Sequence, residues 1–261
     1  MANISRIVLG VTLAVIFVAS LSSGNMAPRP ASLPDAFTLG AGYVPPASAA
    51  DGRIYVEEGF ESDLADILGQ QFGRPVRLKA ADGDSAEAPD GTVLRLRPDD
   101  PRLASGVALA LGYRSGLSVA MRSDTAIRRW EDLAGRTVCA SEANAEGQRL
   151  ARSHGARVVV ARAPAVALMQ LRTGACDASI HDRVLLDALF TSRAWAKFSA
   201  TLPPTQPTVL ALVPTPTASG EILRQAAPAL ADPAAWRQRQ ARWGATVAFE
   251  VYRDQVGGDC H

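Results

Sequence analysis

The sequence predicts an α/β protein whose mainly parallel sheets are flanked by helices and divided between two lobes. Three observations predict this. Short β-rich runs alternate with amphipathic helical stretches from Phe37 to about residue 190, the pattern of βαβ units. Helical stretches close on Gly135, Gly155 and Gly174, a residue type that readily takes the left-handed conformation of a helix end. Roughly 235 residues beyond the leader carry two such runs, which suits two lobes better than one.

Each element has its own warrant. FTLGAG (37–42) is a strand, followed by a loop through Pro45 and Pro46. Gly59 and Phe60 lead into ESDLADILGQQFG, where Phe60, Leu64, Leu68 and Phe72 recur at helical spacing and form one apolar face. PVRLKA (75–80) is a strand, 81–90 a polar loop and TVLRLR (92–97) a strand. After Tyr113-Arg114-Ser115-Gly116, LSVAMRSD is a strand and AIRRWEDLAG a helical turn. The strands TVCAS, ARVVVA and CDASI then alternate with the helices AEGQRLARSHG, PAVALMQLRTG and DRVLLDALFTS. A last strand, TVLALV, precedes helices around SGEILRQAAPAL and PAAWRQRQARWG and a tail. Parallel sheets of this kind place a ligand beyond the carboxyl ends of their strands.

The 27 basic and 26 acidic side chains leave a net charge of +1, so no positive field exists to hold phosphates and nucleic acid is not an expected partner. All the basic residues except Lys79 and Lys197 are arginine, which reads as codon bias. Arg6 precedes the apolar run 7–21, which is shorter than the about 20 residues of a bilayer span. Residues 1–24 therefore read as a signal peptide. No crisp small-x-small cleavage site follows, so an uncleaved anchor stays open. Residues 25–36 (NMAPRPASLPDA) read as a linker, and the fold is expected to begin at Phe37.

Export bears on the cysteines. Cys139, Cys176 and Cys260 lack zinc-site spacing, and an oxidising compartment permits a disulfide. Cys139 and Cys176 lie in β-like runs; neighbouring strands would allow a bridge, and two buried thiols are the alternative. Cys260 is expected to be exposed and unpaired. His154, His181 and His261 show neither metal spacing nor a nucleophile partner. No metal and no cofactor are expected.

Four passages, in order, resemble the periplasmic solute-binding proteins of the polar amino acid type (family 3), which feed ABC importers. GFESDLADILGQQFG is similar to the family's first helix, and YRSGLSVAMRSDTAIRRWEDLAGRTV to its tyrosine-x-serine-glycine strand and following segment. LMQLRTGACDASIHD matches its glycine and "DAxxxD" unit, and Trp243-Gly244 its closing tryptophan-glycine. The resemblance covers about residues 37–244. It implies a type II periplasmic binding protein fold with hinge strands, lobe 1 being 37–115 with 206–261 and lobe 2 being 116–205. It also implies a periplasmic, monomeric, non-enzymatic protein that captures an amino acid or similar small polar solute and delivers it to an inner-membrane ABC permease.

The resemblance also supplies candidate ligand-binding residues. Arg102, eleven residues before Tyr113, falls where the family grips the ligand carboxylate with a bidentate arginine. Asp182 ends the "DAxxxD" strand and is expected to face Arg102 across the cleft and pair the ligand ammonium, or to cap the next helix. Tyr43 matches an aromatic platform, Tyr113 the family's tyrosine, and Asn144 the helix start that donates to the carboxylate. The family's cysteines at two of these strands form a disulfide, which supports Cys139–Cys176. Departures are Asp99 in place of a threonine, Ala143-Asn144-Ala145 in place of a glycine-hydroxyl start, and a short stretch from Val76 to Asp90.

Two other classes stay open. The helix at 59–78 also resembles periplasmic proteins associated with methanol dehydrogenase, which implies an accessory or sensor protein. The fold also hosts cyclohexadienyl dehydratase-like enzymes, for which Glu142 and Asp182 would serve as acid and base.

Overall fold

The computed structural model describes residues 33–46, 54–81 and 88–256. The leader 1–24, most of the linker 25–36 and Cys260 lie outside the described residues, and so does any test of what was expected of them.

Eight strands form one mixed sheet in the order β2-β1-β3-β8-β4-β7-β5-β6. β1 (Phe37–Ala41), β2 (Val76–Ala80) and β3 (Gly91–Leu96) make one parallel group, with β1 in the middle. β5 (Thr137–Ser141), β6 (Arg157–Ala161) and β7 (Ala178–Asp182) make a second, centred on β5. The long strand β4 (Leu109–Met121) and β8 (Thr205–Pro214) pair antiparallel between the groups, β8 against β3 and the end of β4 against β7. This is the α/β class expected, with two parallel groups joined by a pair of linking strands. β1 begins at Phe37, where the fold was expected to begin.

Helices α1 (Glu61–Phe72), α2 (Pro101–Ala104), α3 (Ala145–Ser153), α4 (Pro164–Thr173), α5 (Arg183–Phe190), α6 (Ala218–Leu230) and α7 (Pro233–Val256) cover the sheet. In α1 the predicted face is the buried one: Phe60, Leu64 and Leu68 are almost fully buried, and Phe72 packs its ring on Phe37 at 4.7 Å. Cys139 and Cys176 form a disulfide, and the neighbouring strands β5 and β7 that bring them together are in register at Cys139 and Ser179.

Two elements differ from the sequence reading. β4 starts eight residues before the predicted strand at Leu117; the added stretch pairs with β8 through two register shifts, the first of them spanning Gly112 at φ +86°. The last helix was expected to stop at Gly244, but α7 continues to Val256. Gly244 is a close-approach glycine: a Cβ there would lie 2.5 Å from the Ala188 side chain of α5. Trp236, Trp243, Val247 and Val251 recur at helical spacing on its buried face, and α7 packs on α4 and α5 as well as on β4.

Candidate functional site

The segment 54–60 ahead of α1 carries Glu57 and Glu58 and is held firmly. Phe60 packs into a cluster of rings with Tyr113, Trp236 and Trp243 at centroid distances of 4.9 to 5.1 Å. Trp243 of α7 donates from Nε1 to the Glu57 carbonyl at 3.1 Å, and the Val56 amide donates to Glu250 at 2.9 Å. Gly59, with φ +112°, turns the chain in a backbone region that L side chains rarely adopt. Glu58 is thereby aimed away from its own parallel group and into the other.

There its carboxylate is buried and multiply bonded. Ser141 Oγ, at the end of β5, donates to it at 2.5 Å, Asn144 Nδ2 at 3.2 Å and the Asp182 amide at 3.1 Å. His181 Nδ1 lies 3.2 Å from both carboxylate oxygens, and its Nε2 lies 2.6 Å from Ser179 Oγ. Burial pushes the Glu58 carboxyl up, but His181, the Ser141 hydroxyl and the Asp182 amide outweigh it and hold the carboxyl below the usual range.

A second bond crosses beside the first. Arg95, near the end of β3, donates from Nη1 to Asp182 Oδ2 at 2.7 Å, and the buried Tyr113 hydroxyl donates to the same oxygen at 2.6 Å. Glu61 lies 3.8 Å from Arg95 Nε. Burial alone would lower the guanidinium; Asp182, Tyr113 and Glu61 raise it further above its ordinary value.

Of these residues Glu58, Glu61, Arg95, Asn144 and Asp182 border a cavity of about 550 Å³ at the carboxyl ends of both parallel groups, the place where such sheets bind ligands. Among the described residues seven carboxylates line it, those of Glu57, Glu58, Glu61, Asp63, Asp66, Glu146 and Asp182, against two arginines, Arg95 and Arg149. Burial pushes Glu57 up to about 7, with Glu142, Glu250 and Glu58 adding repulsion and Arg162 opposing it. Burial likewise raises Tyr43 to about 12, helped by Glu57 and Glu142.

The expected residues divide. Tyr43, Asn144 and Asp182 line the cavity. Asn144 caps α3, accepting from the Gly147 amide, but its Nδ2 is turned to Glu58 and the Ile180 carbonyl. Asp182 occupies the N-cap position of α5 without a side-chain capping bond. Tyr113 is buried behind the cavity and reaches it through Asp182. Arg102 is a correction: it sits on the surface helix α2, pairs with Asp100 at 2.8 Å and does not face Asp182. Asp100 caps that short helix through the Arg102 amide and holds the guanidinium outward. Asp99 is likewise outside, paired with Arg97 at 3.0 Å.

Arg95 and Glu58 were missed. Arg95 had a signal, a charged residue near the carboxyl end of an otherwise apolar strand. Glu58 had only its place beside Glu57 at the entry to a helix.

No family model matches the chain, and no curated protein matches it. Solved structures do. A mutant of arginine-bound ArgBP from T. maritima is 17% identical, with a TM-score of 0.49, over 75% of this chain and 96% of that one. The substrate binding protein of an amino acid ABC transporter is 15% identical, with a TM-score of 0.48, over 75% of this chain and 95% of that one. The GluR0 ligand-binding core complexed with L-glutamate is 12% identical, with a TM-score of 0.49, over 80% of this chain and 96% of that one. The solved structures similar to this chain thus include amino acid ABC transporter substrate-binding proteins, the family its motifs resemble.

Proposed function

We propose that this chain is an extracytoplasmic solute-binding protein of an ABC importer, holding a small polar solute between two lobes, 37–115 with 206–261 and 116–205. Binding, not turnover, is the role assigned. One observation carries the reading: a 550 Å³ cavity lies at the carboxyl ends of two parallel groups and is bordered by residues of both. The Arg95–Asp182 pair shows that charged groups from the two sides meet there.

The test is thermal unfolding of the full chain against amino acids, amines and small carboxylates, after ligand carried through purification has been stripped by partial unfolding. A ligand at 100 times its Kd adds about 2.7 kcal/mol to stability, a visible rise in Tm. Silence across the panel overturns the proposal. The internal occupation of Ser141 and Asn144 by Glu58 favours a second reading, an accessory protein of the methanol dehydrogenase-associated type, which predicts a stable protein complex and no small ligand.

A further inference from the structure

We infer that the cleft takes an organic cation without a carboxylate, of the aliphatic di- or polyamine class, because Glu58 already occupies the position that would hold a ligand carboxylate. The inference rests on the solute-binding reading and names its substrate class.

Ser141, Asn144 and the Asp182 amide converge on one anion at the carboxyl ends of β5 and β7 and the start of α3. That anion belongs to the protein itself. The Glu58 side chain is 2% exposed, so an incoming carboxylate would have to displace a buried, fully bonded one. Arg95, the cationic group that would otherwise attract a carboxylate, is committed to Asp182 at 2.7 Å. Both halves of an amino acid grip are thus closed from within.

What remains open is acidic. Glu57, Asp63, Asp66 and Glu146 face the cavity, with Arg149 as the one uncommitted arginine among the described residues of its lining. The Glu57 Oε2 atom is buried and has no hydrogen-bond partner, a desolvated acceptor that an ammonium group would satisfy. Tyr43 adds an aromatic face, and Ile54, Val56 and Val93 add apolar wall for methylene groups. Among the described residues no three His, Cys, Asp or Glu side chains are gathered as a metal site. Carboxylates spread around a cavity of this size suit ammonium groups spaced along a chain better than a single metal ion.

The experiment is isothermal titration of the full chain with 1,4-diaminobutane and spermidine, and with ornithine, which is 1,4-diaminobutane carrying a carboxylate, and glutamate. The expected result is an amine bound at least ten-fold more tightly than ornithine, and no heat from glutamate. Ornithine or glutamate bound as tightly as the amines would overturn this inference and leave the solute-binding reading intact. No binding by any of the four, or by the wider thermal panel, would overturn both. In Glu57→Gln the amine should bind at least ten-fold more weakly with the Tm of the unliganded protein unchanged or raised. Unchanged amine affinity in that variant would also overturn the assignment.

Discussion

Arg95 and Asp182 are 87 residues apart in sequence and 2.7 Å apart in space, so a single ion pair ties the end of β3 to the end of β7. Arg95→Ala leaves Asp182 with Tyr113 alone, a buried charge short of its counterion. The expected cost is about 3 kcal/mol in denaturant unfolding. Arg102→Ala, by contrast, should leave both stability and ligand binding where they are, because that side chain meets solvent and Asp100. Equal effects of the two substitutions would contradict the placement.

Glu58→Ala should leave the Ser141 hydroxyl and the Asp182 amide without their acceptor, while Asn144 keeps the Ile180 carbonyl, with a loss of about 3 kcal/mol. Formate at tens of millimolar should recover part of the lost Tm in the variant and have no such effect on the wild type. Formate that fails to distinguish them would show that the donors do not form an anion site.

The pH dependence has opposite signs for the two adjacent glutamates. Glu58, held below the usual range by His181, Ser141 and the Asp182 amide, contributes stability that is present above the ordinary carboxyl pKa and lost as pH falls through its lowered value. Glu57, raised to about 7, contributes stability that is present below the ordinary value and lost as pH rises through 7. The groups facing Glu57 are Glu142, Glu250, Glu58 and Arg162. The unliganded protein should therefore lose Tm between about pH 5 and pH 7, and Glu57→Gln should flatten that slope. A wild-type Tm that climbs over this range, with no change in Glu57→Gln, would refute the assignment.

Reducing the Cys139–Cys176 bridge removes a cross-link between residues 37 apart in sequence. On the loop-entropy picture the loss is about 3 to 4 kcal/mol, measurable by comparing unfolding with and without reductant against a Cys139→Ser/Cys176→Ser variant. A midpoint indifferent to reductant would mean that the cross-link does not stabilise the fold.

Replacing Gly244 by Ala sets a Cβ 2.5 Å from Ala188, which has no flexible end to withdraw, so α5 and α7 must part. A loss of about 1 to 3 kcal/mol is expected, read by tryptophan fluorescence from Trp243 one residue away. An unchanged midpoint would show that the two helices do not approach so closely.

The order of strands and helices, the apolar face of α1 and the α/β class were legible in the chain because each follows from local periodicity and turn chemistry. The start of the fold at Phe37 was legible for the same reason. The partner of Asp182 was not. Arg95 and Arg102 lie seven residues apart in one arginine-rich stretch, and only the pairing of β3 with β1 and β8 turns Arg95 towards the cavity while Asp100 holds Arg102 outside. Glu58 lies in a segment without periodicity, and its direction depends on Gly59, on the rings around Phe60 and on α7, all assembled from distant sequence. Local patterns set which residues form an element; which side chains meet across the cleft was settled by long-range strand register and helix packing, and no pattern within one segment encodes those.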